Sequence, residues 1–448
     1  MSEYTNTVAD GAMSAPERGM PESPVLGLFV KGFHMGGMQS ILGGIAAAFQ
    51  DAGFRIVFLT SRGEEFDFYP PPKGCERVVM GHWSDVADRP ARRKRMCDAL
   101  RKYHVKILVH HLFDSPVLED DILAAKECGA KVVVHFHSSA TSLFARSGDI
   151  VGDVGRLFAA YRSADALICL SRCDEVFFCM MGVRARYIPN PMPAPPDGFQ
   201  HRGKVGRSII WAGRFSKWEK RPQDAIAAFV EVLREMPDAT LTMLGDGPNG
   251  GELRQMVADD AALSHAVRMP GKVLDVWSEL ANADVLLLTS AYEGFPGVVA
   301  EAYAAGVPVV GYQFENLELC RAAEAYHAVP YGDVRSLARE AVSLLSDTAA
   351  WNRAHVAAKA AHAEFASYDL ASAYSELVAD VLGGNAPAAV AAGAPYDAIL
   401  RTFFLHACLG RMRYLGVRAK LAGRPKSIRG CLRFILRRIF ARLSGGKG

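Results

Sequence analysis

Short apolar, β-branched runs recur along the chain, each separated from the next by a segment with helical spacing, and this alternation restricts the fold more than any other feature. The first unit reads Val25 to Val30, a helix from about Met38 to Ala52, then Arg55 to Thr60. Lys106 to His110, a helix after Pro116, Lys131 to His135 and Ala166 to Leu170 continue the series. A strand that is apolar throughout needs cover on both faces, and strands joined through helices run parallel. The pattern therefore implies a parallel sheet between helical layers. Between Ile188 and Pro196 five prolines interrupt the alternation, a density that neither a helix nor a central strand accommodates, and an interdomain linker is expected there. The pattern then restarts with Ser208 to Ala212, a helix from Pro222 to Met236, Thr240 to Leu244, a helix through Glu252 to Ala258, Val285 to Thr289, a helix near Val298 to Ala305, and Val307 to Gly311. Helical segments from Asp333 to Leu382 close the unit.

The expected fold class is α/β, with two facing Rossmann-like domains at residues 25–190 and 191–382, the last helices being able to return to the first domain. Ligands of open parallel sheets bind at the carboxyl ends of the strands, so a cleft between two such ends is the expected binding place. Residues 1–24 read as a disordered leader, because Glu3, Asp10, Glu17 and Glu22 occupy a stretch without the basic start and apolar run of a secretory signal. No apolar stretch approaches the roughly 18 to 20 residues of a spanning helix, and the expected location is cytoplasmic. Nine cysteines without a CxxC pair argue against a disulfide framework and against structural zinc. Free, packed thiols are expected.

Charge is unevenly distributed. From Tyr396 onward 13 Lys or Arg face Asp397 alone, a surplus of 12, so in a chain of net charge +3 the rest carries −9. Residues 396–448 read as a basic amphipathic helical tail behind a flexible Ala-, Gly- and Pro-rich joint. Ile428, Cys431, Leu432, Ile435, Leu436, Ile439 and Leu443 form a helical apolar stripe, with Arg429, Arg433 and Arg437 on the other side. Such a helix over 428–443 suits an anionic membrane surface. Packing back on the protein is the alternative, and nucleic acid is not an expected partner, since no reading module accompanies the charge.

Chemistry is concentrated where strands end. Gly36 and Gly37 follow the first strand and let backbone N–H groups approach a phosphate or sugar, although a tight turn also explains them. Arg214 and Lys220 follow the first strand of the second half and suit a diphosphate: a planar fork and a mobile point charge together stabilise a departing phosphate. Gly245, Asp246 and Gly247 form a turn that either admits a nucleotide or is merely a turn. Glu293 lies in a loop after a strand, and Glu301 lies eight positions on, in the helix begun by Pro296 and Gly297. A carboxylate in the early helix can accept both hydroxyls of a ribose, while one in the loop can meet the sugar beyond the phosphates.

At these residues the chain resembles the retaining family 4 glycosyltransferases, also called glycosyltransferase group 1, over roughly Val25 to Leu382. Their fold is GT-B, two facing Rossmann-like domains. The resemblance rests on the order and spacing of Gly36-Gly37, Gly213-Arg214 to Pro222, Gly245 to Pro248, the Glu293–Glu301 pair and Ala304 to Val310. It implies that Arg214 and Lys220 hold the donor diphosphate, Glu301 the ribose and Glu293 the transferred sugar, with the backbone of Gly294, Phe295, Pro296 and Gly297 meeting donor sugar and phosphate. Lys272 and Val273 would lie at the base, and His137, with His135 as a competing match, would be the cleft histidine. Lys217 rivals Lys220, because the spacing from Arg214 is one residue longer than the commonest one. His110 and His111 read as strand-end residues rather than as acceptor-side lining.

By the same resemblance the acceptor hydroxyl attacks on the face from which the nucleotide leaves. No metal site is expected, and no cofactor other than the nucleotide diphosphate sugar as co-substrate. The resulting expectation is a retaining hexosyltransferase moving a hexose-type sugar, from a UDP-sugar, to a growing glycan or glycolipid such as lipopolysaccharide core or capsule, working in the cytoplasm or at the inner face of the cytoplasmic membrane. A non-hydrolysing nucleotide-sugar epimerase and a non-catalytic GT-B scaffold are the alternatives.

Overall fold

The structure, a computed structural model, describes residues 23–385 apart from Met35, 83–88, 147–149 and Glu315. Nearly all of the leader and the whole basic tail, with its 428–443 stripe, lie outside the described residues. The first half contains β1 (Val25–Val30), α1 (Gly37–Ser40), α2 (Leu42–Asp51), β2 (Arg55–Thr60), β3 (Glu76–Val79), α3 (Arg89–Lys102), β4 (Val105–His110), α4 (Leu118–Glu127), β5 (Lys131–Phe136), α5 (Ala140–Arg146), α6 (Gly155–Ser163), β6 (Ala166–Cys169), α7 (Arg172–Met180) and β7 (Ala185–Tyr187). All seven strands are parallel, in the order β3-β2-β1-β4-β5-β6-β7. Every residue of β1 is buried, as expected of a strand covered on both faces.

The second half contains β8 (Ser208–Ala212), α8 (Pro222–Glu235), β9 (Thr240–Leu244), α9 (Gly250–Ala258), α10 (Ala261–Ala266), β10 (Val267–Gly271), α11 (Val276–Leu280), β11 (Val285–Leu288), α12 (Gly297–Ala305), β12 (Val309–Tyr312), β13 (Tyr326–Val329), α13 (Val334–Ser346), α14 (Thr348–Ala366) and α15 (Leu370–Gly383). Its six parallel strands run β10-β9-β8-β11-β12-β13. In each sheet the strand order reverses beside the first strand, and crevices that hold ligands open at such reversals.

Two local features were not expected, and the last helix makes the return to the first domain that the sequence left open. The first helix breaks at Ile41, so α1 and α2 replace one continuous segment. α3, rich in Arg and Lys, buries Arg92 by pairing it in two bonds of 2.5 and 2.8 Å with Asp121 of α4, and Asp121 also meets His110 Nε2 at 3.0 Å. α15 leaves the second half and docks on α2: Tyr374 stacks on Phe49 at 4.0 Å, while Leu377, Val378 and Val381 join the core of the first half. Arg186 of β7 fastens the helix with ion pairs to Glu376 at 2.5 Å and Asp380 at 3.1 Å. Among the described residues no helix is long and apolar enough to cross a membrane.

Candidate active site

The loop after β8 carries Arg214, Lys217 and Lys220, and its shape is set by backbone bonds. Ser216 O accepts from both Lys220 N and Arg221 N, at 3.1 and 3.0 Å. Arg221 takes a left-handed conformation (φ 49°) where α8 begins, and its guanidinium returns to Asp224, which also accepts the Tyr312 hydroxyl at 2.6 Å. Thr289, just past β11, then ties this loop to the next. Its hydroxyl lies 2.8 Å from Lys220 O and 3.0 Å from Arg221 O, and accepts the Trp211 indole N–H at 2.9 Å. Ala291 N donates to Glu219 O at 2.7 Å. With the two loops clamped, Lys220 Nζ meets Glu293 Oε1 at 2.6 Å. The carboxylate is 7% exposed and the lysine 24%.

Lys217 points elsewhere: its amine meets Glu252 of α9 at 2.9 Å, with the side chain 44% exposed. Of the two rival lysines, Lys220 is therefore the one beside Glu293. Arg214 is exposed, and among the described residues no partner engages its guanidinium. It acts electrostatically on Tyr292, whose pKa burial pushes up to about 12. Gly245, at φ 131°, is fixed by packing, because a Cβ there would fall 1.9 Å from Gly213 O. Gly247 is similarly pressed against the Phe215 backbone, and Phe215 N donates to Asp246 O at 3.0 Å. The turn from Gly245 to Gly247 thus shapes the Arg214 loop. Asp246 is exposed.

Glu301 sits in the second turn of α12 without a hydrogen-bond partner among the described residues, and burial raises its pKa to about 7. Tyr69, from the segment after β2, feels its charge across the cleft. Lys272, after β10, is exposed, and Val273 packs partly against the core that holds α12. Gly36 and Gly37 stand at the start of α1, where Gly37 has open space beside it.

The opposite edge is built from imidazoles. The register of β4 with β5 pairs His110 with Val134, which places His111 next to His135 on the neighbouring strand. His135 and His137, two positions apart and so on the same face, stack at 4.0 Å. His111 Nδ1 lies 2.8 Å from His137 Nε2. Their ring centres are 5.0 Å apart and the planes differ by 18°. These values describe two rings joined edge to edge through an N–H···N bond. Burial lowers the pKa of His137 to about 3 and holds His111 and His135 well below the ordinary histidine value. All three are neutral at physiological pH. Their ligand atoms lie within 4.8 Å of one another, as a metal site would require. The nitrogens of His111 and His137, however, point at each other rather than at a common centre.

The two edges meet. A Cβ on Gly294 would fall 2.5 Å from Ser138 Cα, so the loop after β5 abuts the Glu293 loop and brings the His137 segment alongside it. A second contact between the halves runs from Arg172 N to Glu318 Oε1 at 3.1 Å. Sequence reasoning set His111 aside as a strand end and did not single out Thr289 or Tyr69. Two neighbouring apolar strands that each end in histidine were the available signal for His111.

Residues 36–191 match the family model described as "Glycosyl transferase 4-like domain", and residues 206–347 match "Glycosyl transferases group 1". The chain is 31% identical over 321 residues to glycogen synthase of Mycobacterium tuberculosis, covering 68% of this chain and 75% of that one. It is 31% identical over 119 residues to the lipopolysaccharide core biosynthesis glycosyltransferase LpsE of Rhizobium meliloti, covering 26% of this chain and 35% of that protein. The first curated relatives are matched over less than half of their own length: 18%, 45% and 35%. Among solved structures, Anabaena Alr3699/HepE in complex with UDP and glucose superimposes with a TM-score of 0.63 at 18% identity, over 80% of this chain and 99% of that one. Two facing parallel sheets, both family models and a relative matched over three quarters of its length make this chain a member of the group 1 glycosyltransferases, with the GT-B fold.

Proposed function

We propose that the protein is a retaining transferase that moves a hexose-type sugar from a UDP-sugar to a hydroxyl of a growing glycan or glycolipid, such as lipopolysaccharide core or capsule. The observation that carries the reading is the Lys220–Glu293 pair, held by two clamped loops against the histidine edge of the other half. Arg214 and Lys220 stabilise the diphosphate as it departs, Glu301 accepts the ribose hydroxyls, and Glu293 holds the transferred sugar. Gly294 to Gly297 lie along the donor sugar and phosphate, and Lys272 and Val273 along the base. His137 presents an uncharged imidazole to the sugar. The acceptor hydroxyl attacks the anomeric carbon on the face the nucleotide leaves, its proton passing to the departing phosphate oxygen, so no carboxylate nucleophile is needed. Phosphate charge is balanced by side chains and backbone dipoles, and donor binding needs no divalent cation.

Incubation with a panel of UDP-hexoses and core or capsular oligosaccharides, in EDTA, tests this. An α-linked product from an α-linked donor, seen by NMR, is expected. An inverted linkage, or activity that requires added Mg²⁺ or Mn²⁺, would overturn it. The basic segment 428–443 would hold the enzyme at the inner face of the cytoplasmic membrane. Full-length protein should then sediment with anionic liposomes, and protein ending at Lys426 should do so much less; equal sedimentation would overturn this.

A further inference from the structure

Beyond His137, the cleft edge of the first half carries a group of cations that the roles above leave unused. Lys31 follows β1 directly and Arg62 comes two residues after β2. The two strand ends stay together through a bond of 3.1 Å from Ser61 N to Val30 O. A Cβ on Gly32 would lie 3.7 Å from Arg62 Cβ, so the segment after Lys31 packs directly on Arg62. His34, half-buried, feels the positive charge of both residues, as does His82 at the end of the β3 segment. The four groups therefore share one corner.

Among the described residues that corner is short of negative charge. Asp67, the acid acting on His34, is already engaged: it pairs with Arg77 and accepts from Phe33 N at 3.2 Å. Among the described residues neither Lys31 nor Arg62 has an ion-pair partner. The Arg62 guanidinium lies 4.7 Å over the Phe66 ring, which limits its freedom. Arg62 Nε and His34 Nδ1 are buried without hydrogen-bond partners, an arrangement that an added acceptor would relieve. The segment from Arg62 to Lys73 also includes Tyr69, which feels Glu301 of the other half, so the corner faces the cleft.

We propose that Lys31, Arg62 and His34 form an anion-binding subsite on the acceptor side of the cleft, and that the acceptor carries a phosphate or carboxylate near the hydroxyl that is glycosylated. The substrate class rests on the transferase reading; the subsite itself does not. Arg62 supplies a planar fork and Lys31 a mobile charge, the combination that selects phosphate or carboxylate over a neutral sugar.

The test uses the full chain with saturating UDP, so that phosphate sites on the donor side are filled. Glucose 6-phosphate, glucuronic acid and glucose are titrated in turn. One or both anionic probes should bind, glucose should not, and the stronger of the two identifies the group. Arg62→Gln and Lys31→Gln should each weaken that binding about tenfold, as for loss of one charge-assisted bond, with UDP affinity and melting temperature unchanged. Lys73→Gln, in an exposed position on the same segment, should have no effect. Equal binding by wild type and both variants, or displacement of the probe by UDP, would overturn the subsite. Failure of UDP to bind would instead count against the transferase reading, with probe binding still readable.

Discussion

Both sheets run in the same order from their third strand to their sixth, β3-β2-β1-β4-β5-β6 and β10-β9-β8-β11-β12-β13, yet the side chains at the equivalent carboxyl ends differ in kind. After β4 and β5 stand neutral imidazoles, held by an N–H···N bond and by stacking. After β8 and β11 stand an exposed guanidinium and a tight lysine–glutamate pair, with a carboxylate on α12 nearby. The shared topology fixes where loops converge, and the loops supply chemistry. An uncharged, water-poor wall strengthens the field of the charges facing it, and in the proposed reaction this is where charge would develop as a diphosphate leaves. A neutral edge also lets an uncharged hydroxyl approach.

The largest expected effect comes from removing charge on the second edge. Lys220→Ala should lower turnover by about 10²-fold or more in a folded protein, because the cation acts mainly as the phosphate departs. Glu293 would also be left buried without its cation. Lys217→Ala should be nearly silent, since its amine serves an exposed pair with Glu252. Steady-state assays with circular dichroism as the folding control decide the matter. Wild-type turnover in Lys220→Ala would end the division between a charged and a neutral edge.

A smaller loss should follow from prising the edges apart. In Gly294→Ala the new Cβ would fall 2.5 Å from Ser138 Cα and 2.6 Å from its carbonyl carbon, so the two loops must separate. Turnover should fall roughly ten- to a hundredfold, as for misplacement by about an ångström. UDP affinity should fall by less than turnover, because Arg214, Lys220 and Glu301, which hold the nucleotide in the proposed reading, stay in place. Parallel loss of UDP binding would mean that the halves are not separable in this way.

Much of this contrast could be read from the residues. The central strands are mostly apolar and buried along their length, so β1, β2, β8 and β9 fall where the sequence places them. β3 and β10 escaped notice because edge strands carry mixed polarity: Glu76 and Arg77 in one, Arg268 and Pro270 in the other. The docking of α15 on α2 depends on Tyr374 finding Phe49 across more than 300 positions, which no local pattern encodes. In the active site, Glu293 and Glu301 stood out by spacing, whereas the choice between Lys217 and Lys220 did not. Both lie in one turn, and it is Thr289, some 70 residues away, that fixes which one faces Glu293. The place of His111 beside His137 was not legible for the same reason: it comes from the register of β4 with β5.

The smallest expected effect concerns pH, and it follows from the burial of Glu301. Its carboxyl titrates at about 7 rather than at the ordinary 4.5, so near neutrality a large share is protonated. Two ribose hydroxyls that both donate require the carboxylate form, and apparent affinity scales with the fraction in that form. Raising the pH from 6 to 8 should therefore tighten nucleoside binding by about tenfold at most. Uridine is the suitable probe, because it carries no phosphate that titrates in this range. Stability should move the other way. The folded protein holds this proton more firmly than the unfolded chain does, so Glu301 lowers stability as pH rises from about 4.5 through about 7. Glu301→Gln should flatten both responses, leaving binding weak at every pH and removing the stability loss across that window. Uridine titrations and thermal melts on the two proteins between pH 5.5 and 8 measure both slopes. A wild type whose uridine affinity weakens as pH rises would place the ribose against some group other than the Glu301 carboxylate.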